Sequence, residues 1–412
     1  MNENKAPKRF VYIDDKPDPS VAESLGQENV GVFLFPDDLT DRMEELIATI
    51  RDCSVVIVDL KLADHDSDDP SSPSILYPKD GLALKEILAS VLTERVSHLD
   101  SGTDTSAVDV EPKTTAFMLY SGELDLLGGG APAKGREHVI AKRIRAEWVM
   151  VKLPQSRPES QKDLRVLEDL ADAVEAVVGI TWLDASERED ILNTIAGLLA
   201  LDEATEWASV AKRQIFEGRP PLQSLAEQDG VALLRWLLHL VLPYPSFLVD
   251  AAEVALLCRL QLGWGVEQLS ELDSPISKLF HESSYGGILS HFLGPRWWRA
   301  GVLATLRREC GGSLQEVERL NNTLDSLYGS AVPRLHIATP VRTVDEDFRL
   351  TATAVDVEDA VRLEAEEWPP ELPPPWFPLS RLADNPRVRR YVLERDIDRV
   401  RSYLSAKSDG SR

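Results

Sequence analysis

Cysteine is scarce in this 412-residue chain: there are three, Cys53, Cys258 and Cys310. Their odd number and wide spacing exclude a disulfide scaffold and a metal knuckle, and suit a reducing compartment, so a cytoplasmic protein is expected. Long apolar runs are lacking too. The start, MNENKAPKRF, has no apolar signal core, and the most apolar stretch, VALLRWLLHLVLPYPSFLV from Val231, is broken by Arg235, His239, Pro243 and Pro245. No membrane span is expected. Positive charge is in deficit, with 45 basic against 69 acidic residues and a formal net charge of −24. Such a chain repels a phosphate backbone unless its basic residues are segregated, so nucleic acid is not an expected partner.

Linear catalytic signatures are missing beyond residue 180. There is no phosphate loop and no evident nucleophile–base pair. His281, Glu282 and His291 could in principle form a metal site, but HExxH is absent because Tyr285 stands where the second histidine would be. These are read as ordinary histidines.

What is present in the first 180 residues is an alternation of strand-like and helix-like segments. RFVYID is followed by a short helical stretch near Val21 to Leu25, VGVFLF by a helix through DLTDRMEELIATIR, and SVVIVDL by GLALKEILASVLTERV. TAFMLYSG, HVIAKRIRAE and WVMVK continue the pattern. The last helix of the series runs through DLRVLEDLADAVEAVV, whose Leu164, Leu167, Leu170, Val174 and Val177 recur at helical spacing. Repeated βα units predict an α/β domain, a doubly wound five-stranded parallel sheet of flavodoxin-like type. Two polar insertions, ADHDSDDPSSPSILYPKD and HLDSGTDTSAVDVEPK, and the Gly-rich LLGGGAPAKG are expected as surface loops.

In an open α/β sheet, ligands gather beyond the carboxyl ends of the strands. Asp14 and Asp15 end the first strand, Asp59 the third, Ser121 the fourth and Lys152 the fifth. An aspartate at a strand end is by itself an ordinary turn or cap residue. Three carboxylates, a hydroxyl and an ammonium at one end of one sheet are a different matter. Hard oxygen ligands suit Mg²⁺, which would relieve the repulsion between the adjacent acids, and the lysine and serine complete a phosphate site.

Over about residues 8–180 the sequence resembles the receiver domain of two-component response regulators. The resemblance implies that Asp59 in VVIVDLKL is the phosphoacceptor, that Asp14 and Asp15 are the metal-binding acidic pair, and that Ser121 in LYSG and Lys152 in VMVKLP contact the phosphoryl group. It also implies Mg²⁺ as cofactor, with the backbone carbonyl of Lys61 as a further ligand, and a histidine kinase or other phosphodonor as partner. Gly122 fits the small residue favoured after the hydroxyl. The chain departs from the family in the long Asp59–Gly81 loop, in Leu153 standing between Lys152 and Pro154, and in Val149 beside Trp148 where an aromatic switch residue is usual.

The remainder resembles no family. Residues 181–330 read as a mainly helical domain, through SEREDILNTIAGLLAL, EATEWASVAKRQIFEG, GVALLRWLLHLVL, SFLVDAAEVALLCRLQL and SLQEVERLNNTLDSLYG. Residues 331–412 read as a small α+β region: strands in RLHIATPVRTV and FRLTATAVDV, the proline-rich arm PPELPPPWF packed on its own fold, and a closing helix through RVRRYVLERDIDRVRSYL. Arg387, Arg389, Arg390, Arg395, Arg399 and Arg401 interleave there with Glu394, Asp396 and Asp398, the pattern of a solvated or partner-facing helix. Trp297 and Trp298, between Arg296 and Arg299, suit a core or a contact surface.

These readings favour a phosphoacceptor regulatory protein over an enzyme, one that signals through contacts of its C-terminal region with a protein partner. The alternatives are a receiver-gated enzyme or a receiver-like scaffold that works without phosphorylation.

Overall fold

The structure, a computed structural model, describes residues 8–35, 38, 41–62, 80–99, 115–128, 132–152, 159–180, 182, 188–227, 229–311 and 317–409. All but the edges of the two polar insertions, and Leu153 with Pro154, lie outside these. The chain groups into two compact units, one drawn from residues 1–191 and 221–239, the other from 192–220 and 240–412, where sequence reading expects boundaries at 180 and 330.

Five strands form the sheet of the first unit: β1 (Phe10–Asp14), β2 (Val30–Leu34), β3 (Val55–Val58), β4 (Ala116–Ser121) and β5 (Trp148–Val151). They lie in the order β2-β1-β3-β4-β5 and every neighbouring pair is parallel, as the doubly wound flavodoxin-like arrangement requires. The strands are near-continuous apolar runs, with β1, β3 and β4 buried on both faces, while the edge strand β2 leaves Val32 and Leu34 exposed. On one face Val11, Ile13, Val56, Val58, Leu119 and Val149 pack with Leu46 and Ile50 of α2 (Met43–Asp52), Leu84 and Leu88 of α3 (Gly81–Leu99) and Ile140 of α4 (Glu137–Arg143). Tyr12, Ile57, Met118 and Met150 of the opposite face are buried as well. Helix α1 (Pro19–Leu25), capped by the Asp18 carboxylate accepting from the Ser20 amide, packs on α5 (Glu159–Val178), which also reaches β3.

The return of residues 221–239 to this unit explains why it does not end at 180. The short helix Val231–Trp236 lies on α5 so closely that a Cβ at Gly230 would sit 2.7 Å from the Val177 carbonyl. Its Arg235 Nε donates to Glu147 Oε1 at 2.7 Å, and Glu147, wholly buried, also accepts from the Phe117 amide. The helix then widens into a π-helical turn, Leu237–Val241, whose His239 Nε2 lies 3.0 Å from the Glu147 carbonyl oxygen.

The second unit is α+β. Antiparallel β6 (Leu248–Val249) and β7 (Trp297–Trp298) make a two-stranded ribbon, and β8 (Pro340–Val344), β9 (Leu350–Asp356), β10 (Ala360–Arg362) and β11 (Trp376–Pro378) make a sheet in the order β10-β11-β8-β9. The proline-rich arm thus ends as a sheet strand. Two sequence expectations are corrected. SFLVDAAEVALLCRLQL is not one helix: Leu248 and Val249 pair with Trp298 and Trp297, and Asp250, extended and accepting from the Glu253 amide, starts a new helix at Ala251. The closing segment is not one helix either, because the Leu393 amide donates to the Arg362 carbonyl and Glu364 N to Tyr391 O, which draws residues 391–393 alongside β10. A helix resumes at Ile397. Asp396 turns inward, gripping Arg362 with both oxygens at 2.8 and 2.9 Å. Among the described residues no helix is long and apolar enough to cross a membrane.

Candidate functional site

Strand β1 delivers its last residue to the carboxyl edge of the sheet, beside β3. Alternation along the strand puts Tyr12 and Asp14 on one face, and the buried Tyr12 hydroxyl donates to Asp14 Oδ2. Asp14, only 1% exposed, is held further by the Lys16 amide, which donates to Oδ1 at 2.9 Å. Lys152, directly after β5, is anchored by its amide to the Ser121 carbonyl at 3.0 Å, and its ammonium reaches across to Asp14 Oδ2 at 2.6 Å and Asp59 Oδ2 at 2.7 Å.

The electrostatics follow from these contacts. Burial opposes ionisation of Asp14, but the hydrogen bonds from Lys152, Tyr12 and Lys16 outweigh it and hold the carboxyl below its ordinary range. Burial likewise opposes the Lys152 charge, and the Asp14 and Asp59 carboxylates reverse that, raising its pKa. Asp15 moves the other way: partial burial and the neighbouring Asp14 push it up. The Lys152 ammonium therefore bridges Asp14 and Asp59, while Asp15 feels the opposing charge of Lys16 without an ion pair to Lys152.

Carboxylate oxygens of Asp14, Asp15 and Asp59 lie within 4.8 Å of one another, so the cluster could hold a metal ion. Asp59 Oδ1 is buried and has no hydrogen-bond partner, an unsatisfied acceptor next to that cluster. The donor set is all oxygen, which fits a hard cation.

The other expected residues are distributed as follows. Ser121 is buried at the end of β4, its Oγ accepting from the Glu123 amide at 3.3 Å, with no hydrogen bond to Asp59. Lys61 pairs across an antiparallel bridge with Asp80, and its ammonium stands 3.7 Å from Glu123. Trp148 and Val149 are both buried.

Two supporting residues escaped sequence reasoning. Tyr12 could have been found from its i, i+2 relation to Asp14. Gly81 could not: a Cβ there would lie 1.8 Å from the Asp59 carbonyl oxygen, so only glycine lets the start of α3 close against the backbone of Asp59. The bond from Gly81 N to Leu60 O at 2.8 Å fixes that approach.

No protein-family model matches the chain, and no curated protein or solved structure matches it significantly. The geometry of the site is what bears on function.

Among the described residues, His281, Glu282 and His291 do not come together as a metal group, and all three are exposed. Trp297 and Trp298 are 4% and 1% exposed, and Trp298 sits among Trp207, Phe247 and Tyr285 with ring centroids about 6 Å away. They are core residues, which removes the contact-surface reading.

Proposed function

We propose that the first unit is a receiver-type phosphoacceptor module and that Asp59 is its acceptor. The observation that carries this reading is the buried, unpartnered Oδ1 of Asp59, flanked by two further carboxylates and by the ammonium of Lys152. Buried acceptors are as a rule hydrogen-bonded, so an open oxygen beside two further carboxylates marks Asp59 as the group able to take a further ligand. In the transfer step an Asp59 oxygen attacks the phosphorus of a phosphohistidine or acyl phosphate, the bond from phosphorus to the donor breaks, and the donor leaves with that electron pair. Lys152 moves its ammonium from the free carboxylate to the new phosphoryl oxygens, and Ser121 offers its hydroxyl to them.

Mg²⁺ is the cofactor that suits the donor set, with Asp14, Asp15, Asp59 and the Lys61 backbone carbonyl as its protein ligands. It would offset the charge accumulated on carboxylates and phosphoryl oxygens. Signal output then runs through protein contacts of the second unit, with a histidine kinase as the physiological donor.

The test is incubation of the full-length protein with acetyl phosphate, with and without Mg²⁺, followed by intact-mass measurement. One phosphoryl adduct is expected, dependent on Mg²⁺ and missing from Asp59→Asn. Absence of an adduct on folded wild-type protein, under conditions that load an ordinary receiver, would favour the phosphorylation-independent scaffold.

A further inference from the structure

The second unit contains a pocket of about 330 Å³ that the proposed phosphoacceptor chemistry does not use. That volume falls at the small end of the range for ligand sites. Its walls are leucines from three helices: Leu256 from Ala251–Leu257, Leu303 and Leu306 from Arg299–Glu309, and Leu320 from Val317–Tyr328. Three charged residues line the same space: Arg259, whose guanidinium donates to backbone carbonyls, and the opposite pair Glu253 and Arg299.

The charges of Glu253 and Arg299 are not spent on the fold. Neither side chain makes a hydrogen bond, or an ion pair within 4 Å, among the described residues. Their neighbours are by contrast engaged: Asp250 receives two 2.8 Å bonds from Arg342 Nη1 and caps its helix, and Arg259 Nη1 donates to the carbonyls of Ile337 and Ala338. Burial raises the Glu253 pKa and the Arg299 charge works against that rise, so the two groups feel each other across a gap without touching.

We infer that the leucine-walled pocket between helices Ala251–Leu257 and Arg299–Glu309 binds a free apolar α-amino acid, its carboxylate on Arg299, its ammonium on Glu253 and its side chain against the leucines. A zwitterion carries both charges on substituents of one carbon and so satisfies both groups at once. A fatty acid or an amine satisfies one and leaves the other desolvated and unpaired, which is costly. A peptide terminus likewise brings a single charge.

Calorimetry on the full-length protein with L-leucine and L-phenylalanine tests this. Saturable one-to-one binding is expected with at least one of them. N-acetyl-leucine and leucinamide, each lacking one charge, should bind about tenfold more weakly or worse, the scale expected for losing one charge-assisted hydrogen bond. Glu253→Gln should weaken the amino acid yet leave N-acetyl-leucine unchanged, and Arg299→Gln should do the converse with leucinamide. Leu303→Trp fills the pocket and should abolish binding while circular dichroism and the melting profile report a folded chain. Failure of both amino acids to bind at millimolar concentration overturns the inference, as does binding that survives Leu303→Trp. Equal affinity for the three leucine compounds overturns the zwitterion assignment.

Discussion

Asp14 holds its charge in an environment that disfavours charge, and the three donors on it are the reason. Tyr12, Lys16 and Lys152 all point hydrogens at one buried carboxylate. Removing the first by Tyr12→Phe should destabilise the protein by about 1.5–3 kcal/mol, the range for a hydrogen bond to a charged group. Urea unfolding measures it, and an unchanged midpoint would show that the hydroxyl contributes nothing. The same contacts set the pH dependence. A carboxyl whose folded pKa lies below its ordinary value stabilises above that ordinary value and loses the contribution as pH falls through the folded one. Lys152, raised in the fold, contributes below the ordinary lysine value and is lost only as pH climbs past its folded value. The bridge is therefore complete at neutral pH. Unfolding midpoints should fall as pH drops through and below the carboxylate range, and Asp14→Asn should flatten that acid limb. The less buried Asp15, displaced upward, opposes the trend because protonation relieves its repulsion with Asp14.

At the scale of the element, the junction between Asp59 and α3 is set by a residue with no side chain. Gly81→Ala puts a methyl against the Asp59 carbonyl, and the shift it forces should cost about 1–3 kcal/mol, as overpacking does. It should also weaken metal binding, since Asp59 moves; thermal shift with and without Mg²⁺ reads both. Wild-type values in both measurements would mean that the close approach is dispensable. Sequence reveals some junctions and hides others for a physical reason. The βα alternation and the residues Asp14, Asp15, Asp59, Ser121 and Lys152 at strand ends were legible because strand periodicity and parallel topology are local patterns with one spatial outcome. The Gly81 contact and the Glu147–Arg235 pair were not, since each joins backbone or side chains through folding that no spacing announces. The closing segment departs from its sequence pattern for the same reason. Its charges alternate as on a solvated helix, but residues 391–393 pair with β10, and Asp396 is committed to Arg362.

Across the whole molecule, charge narrows the partners. At a net −24, binding to duplex DNA at physiological salt requires a segregated basic face, and the arginines of the closing segment are interleaved with acids instead. The full-length protein should show no salt-sensitive retention of duplex DNA in a mobility-shift assay. Tight retention would replace protein contacts by nucleic acid as the output. The cysteines, all three buried, do not distinguish among partners. What remains decisive is whether the carboxyl edge of the sheet does chemistry. Borohydride reduction after exposure to acetyl phosphate and Mg²⁺ converts an aspartyl phosphate into homoserine, which peptide sequencing locates. Homoserine at position 59, present only when donor and Mg²⁺ are both supplied, is the result this account predicts. Aspartate intact at position 59 in folded protein, or homoserine at another aspartate, contradicts it.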